Sequence, residues 1–481
     1  MQRIVGTLCA RSVVIFLLVT GAFVGLWASL TAVGQTEKAQ DLPSPGQVAD
    51  VMCATDSTES YALYLPRGYT PTKRWPIIYF FDPGGHGRRT LDLYKDVAEK
   101  FGYIFAGSNS SRNFSGDQSK SVNMIWQDTH MRLALDERRM YASGFSGGAR
   151  VAGAMGFSCP ACGIAGIIAH GAGYPSNRTG VKDNLLYFFA VGDQDFNWPE
   201  VITARREREE RGLPYRVRVF SGRHQWAPTD VMEDAVQWLT LRAMQAGVFA
   251  PDAAFIDRVF QQTQRDAADA ERKKDAIAQL NAYRSLVADF TGLKDVKEPA
   301  EKLAALKTSP DLKAALKSEQ EQIASQIALE REISPKLQAY VDGSAQDLDT
   351  LRIDIVQAMA GLKDQATRSK SEAKRLIFRR ALDGLWVEGI ETGQQELQAR
   401  HFEKAEYCFL LLKQVSDDPW PVLLLAETHA AAGNKKQAIK DLQEAIKRGL
   451  KDPEAIESDG QLQGLKTEPE FQRLLAGMKG R

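Results

Sequence analysis

The sequence predicts an α/β fold, a mostly parallel sheet covered by helices, followed by an all-α region that ends in helical repeats. Three observations predict it. From about Tyr61 to Met244, short β-rich runs alternate with amphipathic stretches, as expected of strands joined by crossover helices. From Pro251 to about Leu385 the composition turns to Ala, Lys, Glu, Gln, Asp and Leu, with few β-branched runs. Beyond that, Ala405, Phe409 and Leu412 recur as Ala438, Leu442 and Ala445, each 33 positions later, a period of paired helices that stack on one another.

Taken in order, the predicted strands are Tyr61–Leu65, Ile77–Phe81, Ile104–Gly107, Met140–Ser143, Ile164–Ala169, Leu185–Val191 and Tyr215–Phe220, with helices in most intervals. In the middle region Ile277, Leu280, Tyr283, Val287 and Phe290 fall on one helical face, and Gly292, Pro310 and Pro335 punctuate it. The organisation that follows is an N-terminal segment 1–34, an α/β domain 35–248, a helical region 249–385 and a repeat domain 386–481.

With 481 residues, 44% hydrophobic and 25% charged, the chain can bury more than one core. Lys plus Arg equals Asp plus Glu at 61 each, which removes the broad electrostatic case for binding nucleic acid or an anionic membrane surface. The N-terminus differs in kind. Arg3 and Arg11 precede an uncharged, mostly apolar run from Ser12 to Thr36, read as a cleaved export signal or as an anchor at 12–34. Both readings put the rest of the chain in the periplasm or outside the cell, with membrane contact only through that segment.

The chemistry concentrates where the predicted strand Met140–Ser143 runs into Gly144-Phe145-Ser146-Gly147-Gly148. A G-x-S-x-G sequence between a strand and a helix is a tight turn that exposes the serine hydroxyl at the helix N-terminus. A serine hydroxyl needs a base to take its proton. Of the six histidines, His224 lies in a loop after a strand and before a helix, in Ser221-Gly222-Arg223-His224-Gln225-Trp226, where such a base is expected; His86 belongs to a glycine turn, and His170, at the end of the Ile164–Ala169 strand, reads as a satisfied structural histidine. The run Gly192-Asp193-Gln194-Asp195 after Leu185–Val191 supplies a carboxylate to orient the imidazole. The order serine, acid, histidine fits one catalytic arrangement on a parallel sheet. Oxyanion donors are expected at the Gly147 amide and, in the glycine turn Asp82-Pro83-Gly84-Gly85-His86-Gly87, at Gly84 or Gly85. Trp198 and Trp226 are candidates for an apolar, substrate-binding rim.

On these motifs, residues from about Cys53 to Trp238 resemble α/β-hydrolases grouped with polyhydroxybutyrate depolymerase-like esterases, feruloyl and acetyl esterases, dienelactone hydrolases and prolyl oligopeptidases. The spacing of Ala426, His429, Gly433 and Ala438 is similar to that of a tetratricopeptide repeat. The first resemblance implies hydrolysis of an ester or a peptide through an acyl-enzyme, with Asp195 rather than Asp193 as the acid in the Gly-x-x-Asp register. The substrate is not inherited with it. The early turn departs from the family's His-Gly pattern by carrying Asp82-Pro83. Only about fifteen residues separate the His170 strand end from the next strand, too few for an inserted helical lid, so an open, lidless site suited to a polymeric ester or a peptide is expected. The repeats imply a protein partner; a scaffold carrying an inert hydrolase domain is the rival reading. Cys53 is expected to pair with Cys159 or Cys162 in an oxidising compartment. No residue cluster has metal-ligand spacing and no phosphate loop precedes a helix, so neither metal nor cofactor is indicated.

Overall fold

The computed structural model describes residues 42–114, 116, 118–175 and 185–479. The apolar segment 12–34, with its reading as signal or anchor, lies outside them. Among the described residues no helix is long and apolar enough to cross a membrane.

Eight strands form one sheet: β1 (Val48–Cys53), β2 (Asp56–Tyr64), β3 (Trp75–Phe81), β4 (Ile104–Ser108), β5 (Leu135–Phe145), β6 (Gly166–His170), β7 (Leu186–Gly192) and β8 (Tyr215–Phe220), in the order β1-β2-β4-β3-β5-β6-β7-β8. β2 runs antiparallel to β1 and β4, and every other pair is parallel. The seven predicted strands are present; β1, an edge strand half-exposed along most of its length, was not expected. The central strand β3 (WPIIYFF) is buried throughout, as a parallel strand covered on both faces must be. Its residues alternate between two cores. Trp75, Ile77, Tyr79 and Phe81 face α2 (Ser119–Arg132), α3 (Gly147–Ser158) and α4 (Trp198–Glu210), while Ile78 and Phe80 face α1 (Gly87–Phe101) and α5 (Thr229–Gln245).

The rest of the chain is helical: α6 (Ala253–Arg272), α7 (Ala276–Phe290), α8 (Lys297–Thr308), α9 (Pro310–Val341), α10 (Leu348–Arg368), α11 (Glu372–Gln398), α12 (Phe402–Val415), α13 (Trp420–Ala431), α14 (Lys435–Lys447), α15 (Pro453–Ser458) and α16 (Pro469–Lys479). Gly292 and Pro310 fall at helix ends as expected, but α9 passes through Pro335. Ala405, Phe409 and Leu412 of α12 and their counterparts Ala438, Leu442 and Ala445 of α14 are all buried, so the repeated positions are packing positions.

These helices are built onto the sheet domain. Arg205 of α4 makes a buried pair with Glu319 of α9 at 2.6 Å, and the Trp238 indole of α5 donates to Asp289 of α7 at 2.9 Å. Residues 42–481 form one compact unit, and α11 runs unbroken through the boundary expected at 385.

Within the repeat helices His429 of α13 lies between Asp441 of α14 (2.7 Å) and Glu406 of α12 (3.3 Å). Its bond to Asp441 above all, and the charge of both carboxylates, raise its pKa above the ordinary histidine value. A raised folded pKa contributes stability that is fully present below the unfolded value and is lost as pH rises through the folded one. The helices α12–α14 should therefore protect their amides from exchange better at pH about 6 than at pH about 9. His429→Gln should remove that difference, and an unchanged pH profile in the variant would contradict the assignment.

Candidate active site

The site lies at the carboxyl edge of the sheet. Ser146 occupies the single position between β5 and α3, with φ 53° and ψ −120°. A non-glycine residue held there is strained, and only tight surroundings keep it so. Two glycines make the turn: a Cβ on Gly144 would lie 2.2 Å from the Gly148 carbonyl oxygen, and one on Gly148 would lie 2.0 Å from that of Phe81. The Ser146 amide donates to the His170 carbonyl at the end of β6 (2.9 Å), which fixes the turn against the neighbouring strand.

Asp195 is fully buried after β7. Its Oδ1 accepts from the Asn197 amide (2.8 Å) and lies 2.9 Å from His224 Nδ1. A carboxylate there holds the proton on Nδ1 and leaves Nε2 as the basic nitrogen. The imidazole sits between the rings of Phe145 (4.5 Å) and Phe196 (4.3 Å). Gly171 shows how closely these groups converge: a Cβ there would come within 2.8 Å of Asp195 Oδ2 and 3.1 Å of His224 Nδ1. Asp193 is occupied differently. Its Oδ1 accepts from the Gly222 amide at 3.0 Å and its own amide donates to Phe220 O at 2.8 Å, so it ties the acid-bearing loop to the base-bearing one.

Several expectations need correction. The Gly84 and Gly85 amides are taken up inside their own turn, donating to Asp82 Oδ1 (2.8 Å) and Asp82 O (3.0 Å). The Asp-Pro that departs from the family pattern thus folds the loop onto its own acid. Asp82 Oδ2 also accepts from the Trp226 indole (2.9 Å), and Trp226 packs against Tyr94, Phe145 and His170; it is packing rather than a substrate rim. Trp198 is 6% exposed beneath the Arg380 guanidinium, 3.9 Å from the ring centroid, and is no rim either. His170 is buried, and neither ring nitrogen has a hydrogen-bond partner. Desolvation pushes its pKa down to about 3, so it packs as a neutral ring, not as the satisfied histidine expected. Cys159 and Cys162 are bonded to each other across a 3₁₀ turn, Cα atoms 5.3 Å apart, which leaves Cys53 free and sealed in the core.

One wall of the site comes from the helical region. A cavity of 910 Å³ is lined by Ser146, Gly147, Asn113, Arg150, Phe196 and, from α11, Glu391. Glu391 belongs to α11, more than a hundred residues downstream of β7, one of the helices that follow the sheet domain. The same helices hold the loops. Arg380 Nε donates to Asp193 O (2.7 Å), Arg223, next to His224, makes two bonds to Asp383 (2.9 and 2.6 Å), and Gln326 of α9 donates to Phe196 O (2.9 Å). Arg380 is 2% exposed and its charge faces both Asp193 and Asp195. Arg380→Met should lower kcat for a small ester about a hundredfold, the scale of a 1 Å misplacement; kcat in the folded variant within about twofold of the parent would show the contact to be structural only.

Sequence reasoning missed Asn113, whose carboxamide lies against the nucleophile turn so closely that a Cβ on Gly147 would meet its Oδ1 at 1.9 Å. A lone Asn in a polar loop carries no motif, and nothing in the sequence marks it. Among the described residues no group of His, Cys, Asp and Glu could hold a metal ion.

No family model and no curated protein matches the chain. Among solved structures the chain is similar to an S-formylglutathione hydrolase from Staphylococcus aureus, at 12% identity over 41% of this chain and 98% of that one, TM-score 0.34. It is also similar to a ferulic acid esterase, at 16% over 40% and 94%, TM-score 0.31. A third is an esterase from Pyrobaculum calidifontis, at 11% over 41% and 83%, TM-score 0.33. The sheet order, with a strained serine on the turn after β5, a carboxylate after β7 and a histidine after β8, is that of an α/β-hydrolase fold.

Proposed function

We propose that the protein is an exported serine hydrolase that cleaves a carboxylic ester through an acyl-enzyme. The observation that carries the reading is the strained Ser146 at the edge of the cavity, next in sequence to Phe145, whose ring packs on an imidazole held at Nδ1 by buried Asp195. Ser146 Oγ attacks the ester carbonyl and its proton passes to His224 Nε2. The imidazolium returns that proton to the departing alcohol, and a water molecule, deprotonated by the same nitrogen, releases the acid and restores the serine. The Gly147 amide and the Asn113 carboxamide are the proposed donors to the oxyanion.

Export rests on Arg3, Arg11 and the uncharged run that follows, and the Cys159–Cys162 disulfide supports an oxidising compartment. The buried repeat positions of α12 and α14 support the tetratricopeptide-like reading, and with it a protein partner for the C-terminal helices. Incubation with a labelled fluorophosphonate, followed by peptide mapping, should place the label on Ser146 alone. Label spread over surface serines, or none with the protein folded, would overturn the proposal.

A further inference from the structure

The charges around the cavity do not cancel. Arg150, one helical turn after Ser146, gives its Nη2 to Glu200 at 2.7 Å, and Glu200 also accepts from the Gly173 amide at 3.1 Å. That cation is neutralised within the wall. Glu391, on the α11 side, lines the same cavity and makes no ion pair or hydrogen bond with any described residue. Arg150 and His224 lie within electrostatic reach of it, and burial nevertheless raises its pKa above the ordinary glutamate value. The cavity therefore keeps one partly desolvated carboxylate with no ion-pair or hydrogen-bond partner among the described residues. Two aromatic residues, Phe114 and Phe196, line it as well. A carboxylate and aromatic rings lining one pocket are the components that bind an ammonium group, by charge and by cation–π attraction.

We propose that Glu391 is a specificity residue of this pocket and that the preferred substrates are esters carrying an ammonium group close to the scissile carbonyl. The inference rests on the serine hydrolase reading above and deepens it. An anionic ester would meet Glu391 with Arg150 already taken by Glu200. A neutral ester would leave the carboxylate desolvated and unpaired, which costs binding energy a cation restores.

The test uses the full-length protein and two ester series that vary charge at constant shape. On the acyl side these are p-nitrophenyl 4-(trimethylammonio)butanoate, p-nitrophenyl 5,5-dimethylhexanoate and p-nitrophenyl hydrogen glutarate. On the alcohol side they are the acetates of choline and of 3,3-dimethylbutanol. In at least one series kcat/KM for the cationic ester should exceed that for its neutral isostere by about tenfold, and in the acyl series the anionic ester should be poorest. Glu391→Gln should bring the cationic-to-neutral ratio to about one, and Glu391→Lys should invert it in favour of the anion. No charge preference in either series, or a Glu391→Gln effect equal on every ester, would overturn the inference; the latter would assign Glu391 to the charge on His224. Failure of the underlying reading looks different: no ester is turned over and fluorophosphonate does not label Ser146.

Discussion

Alanine at Ser146 should lower kcat for a p-nitrophenyl ester by about a million-fold, alanine at His224 should cost nearly as much, and the double variant should be no worse than either alone. In the proposed mechanism the two groups perform one act. A serine hydroxyl that cannot shed its proton is a poor nucleophile, and a base with nothing to deprotonate has no role. The geometry makes that unit rigid: Ser146 is held at φ 53° by its neighbours, and the imidazole is fixed by Asp195 and by two phenylalanine rings. Steady-state kinetics on the three variants decides it. Losses that simply add would mean that Ser146 and His224 act in separate processes.

Asparagine at Asp195 should reduce kcat by about ten-thousandfold with KM little changed, because an amide at this position favours the wrong imidazole tautomer and cannot stabilise the imidazolium. Asparagine at Asp193 should act mainly on stability, by about 1 kcal/mol, since that carboxylate accepts one backbone hydrogen bond from Gly222. The two residues share a loop and differ in what they touch, so the comparison is internal. A collapse of turnover in Asp193→Asn alone would reverse the roles.

The sheet was readable because parallel strands buried on both faces must be apolar along their length, as in Ile77–Phe81 and Leu185–Val191. β1 was not, because an edge strand such as Val48–Cys53 mixes exposed and buried positions within six residues. Ser146, His224 and the Asp193/Asp195 pair stood out because a nucleophile turn needs glycines and its partners must follow particular strands. The helical side of the site left no such mark. Arg380, Asp383 and Glu391 act at the site through tertiary packing, and in the sequence they are three charged residues in a charged helix. The amides of Gly84 and Gly85 misled for a related reason: a glycine turn declares that backbone can approach closely, but not which oxygen it will meet, and here that oxygen belongs to Asp82.

The order in which the polypeptide is made gives α11 a temporal meaning. Ser146, Asp195 and His224 have all been synthesised once His224 is complete, yet the contact that secures Arg223 comes 160 positions later, at Asp383, and Arg380 grips the carbonyl of Asp193 across 187 positions. A nascent chain that has emerged as far as α10 thus contains Ser146, Asp195 and His224, with Gln326 of α9 already available to Phe196, but lacks the two α11 contacts to Asp193 and Arg223. The loops that carry Asp193 and Arg223 are therefore fully held only late in synthesis, once α11 has been made.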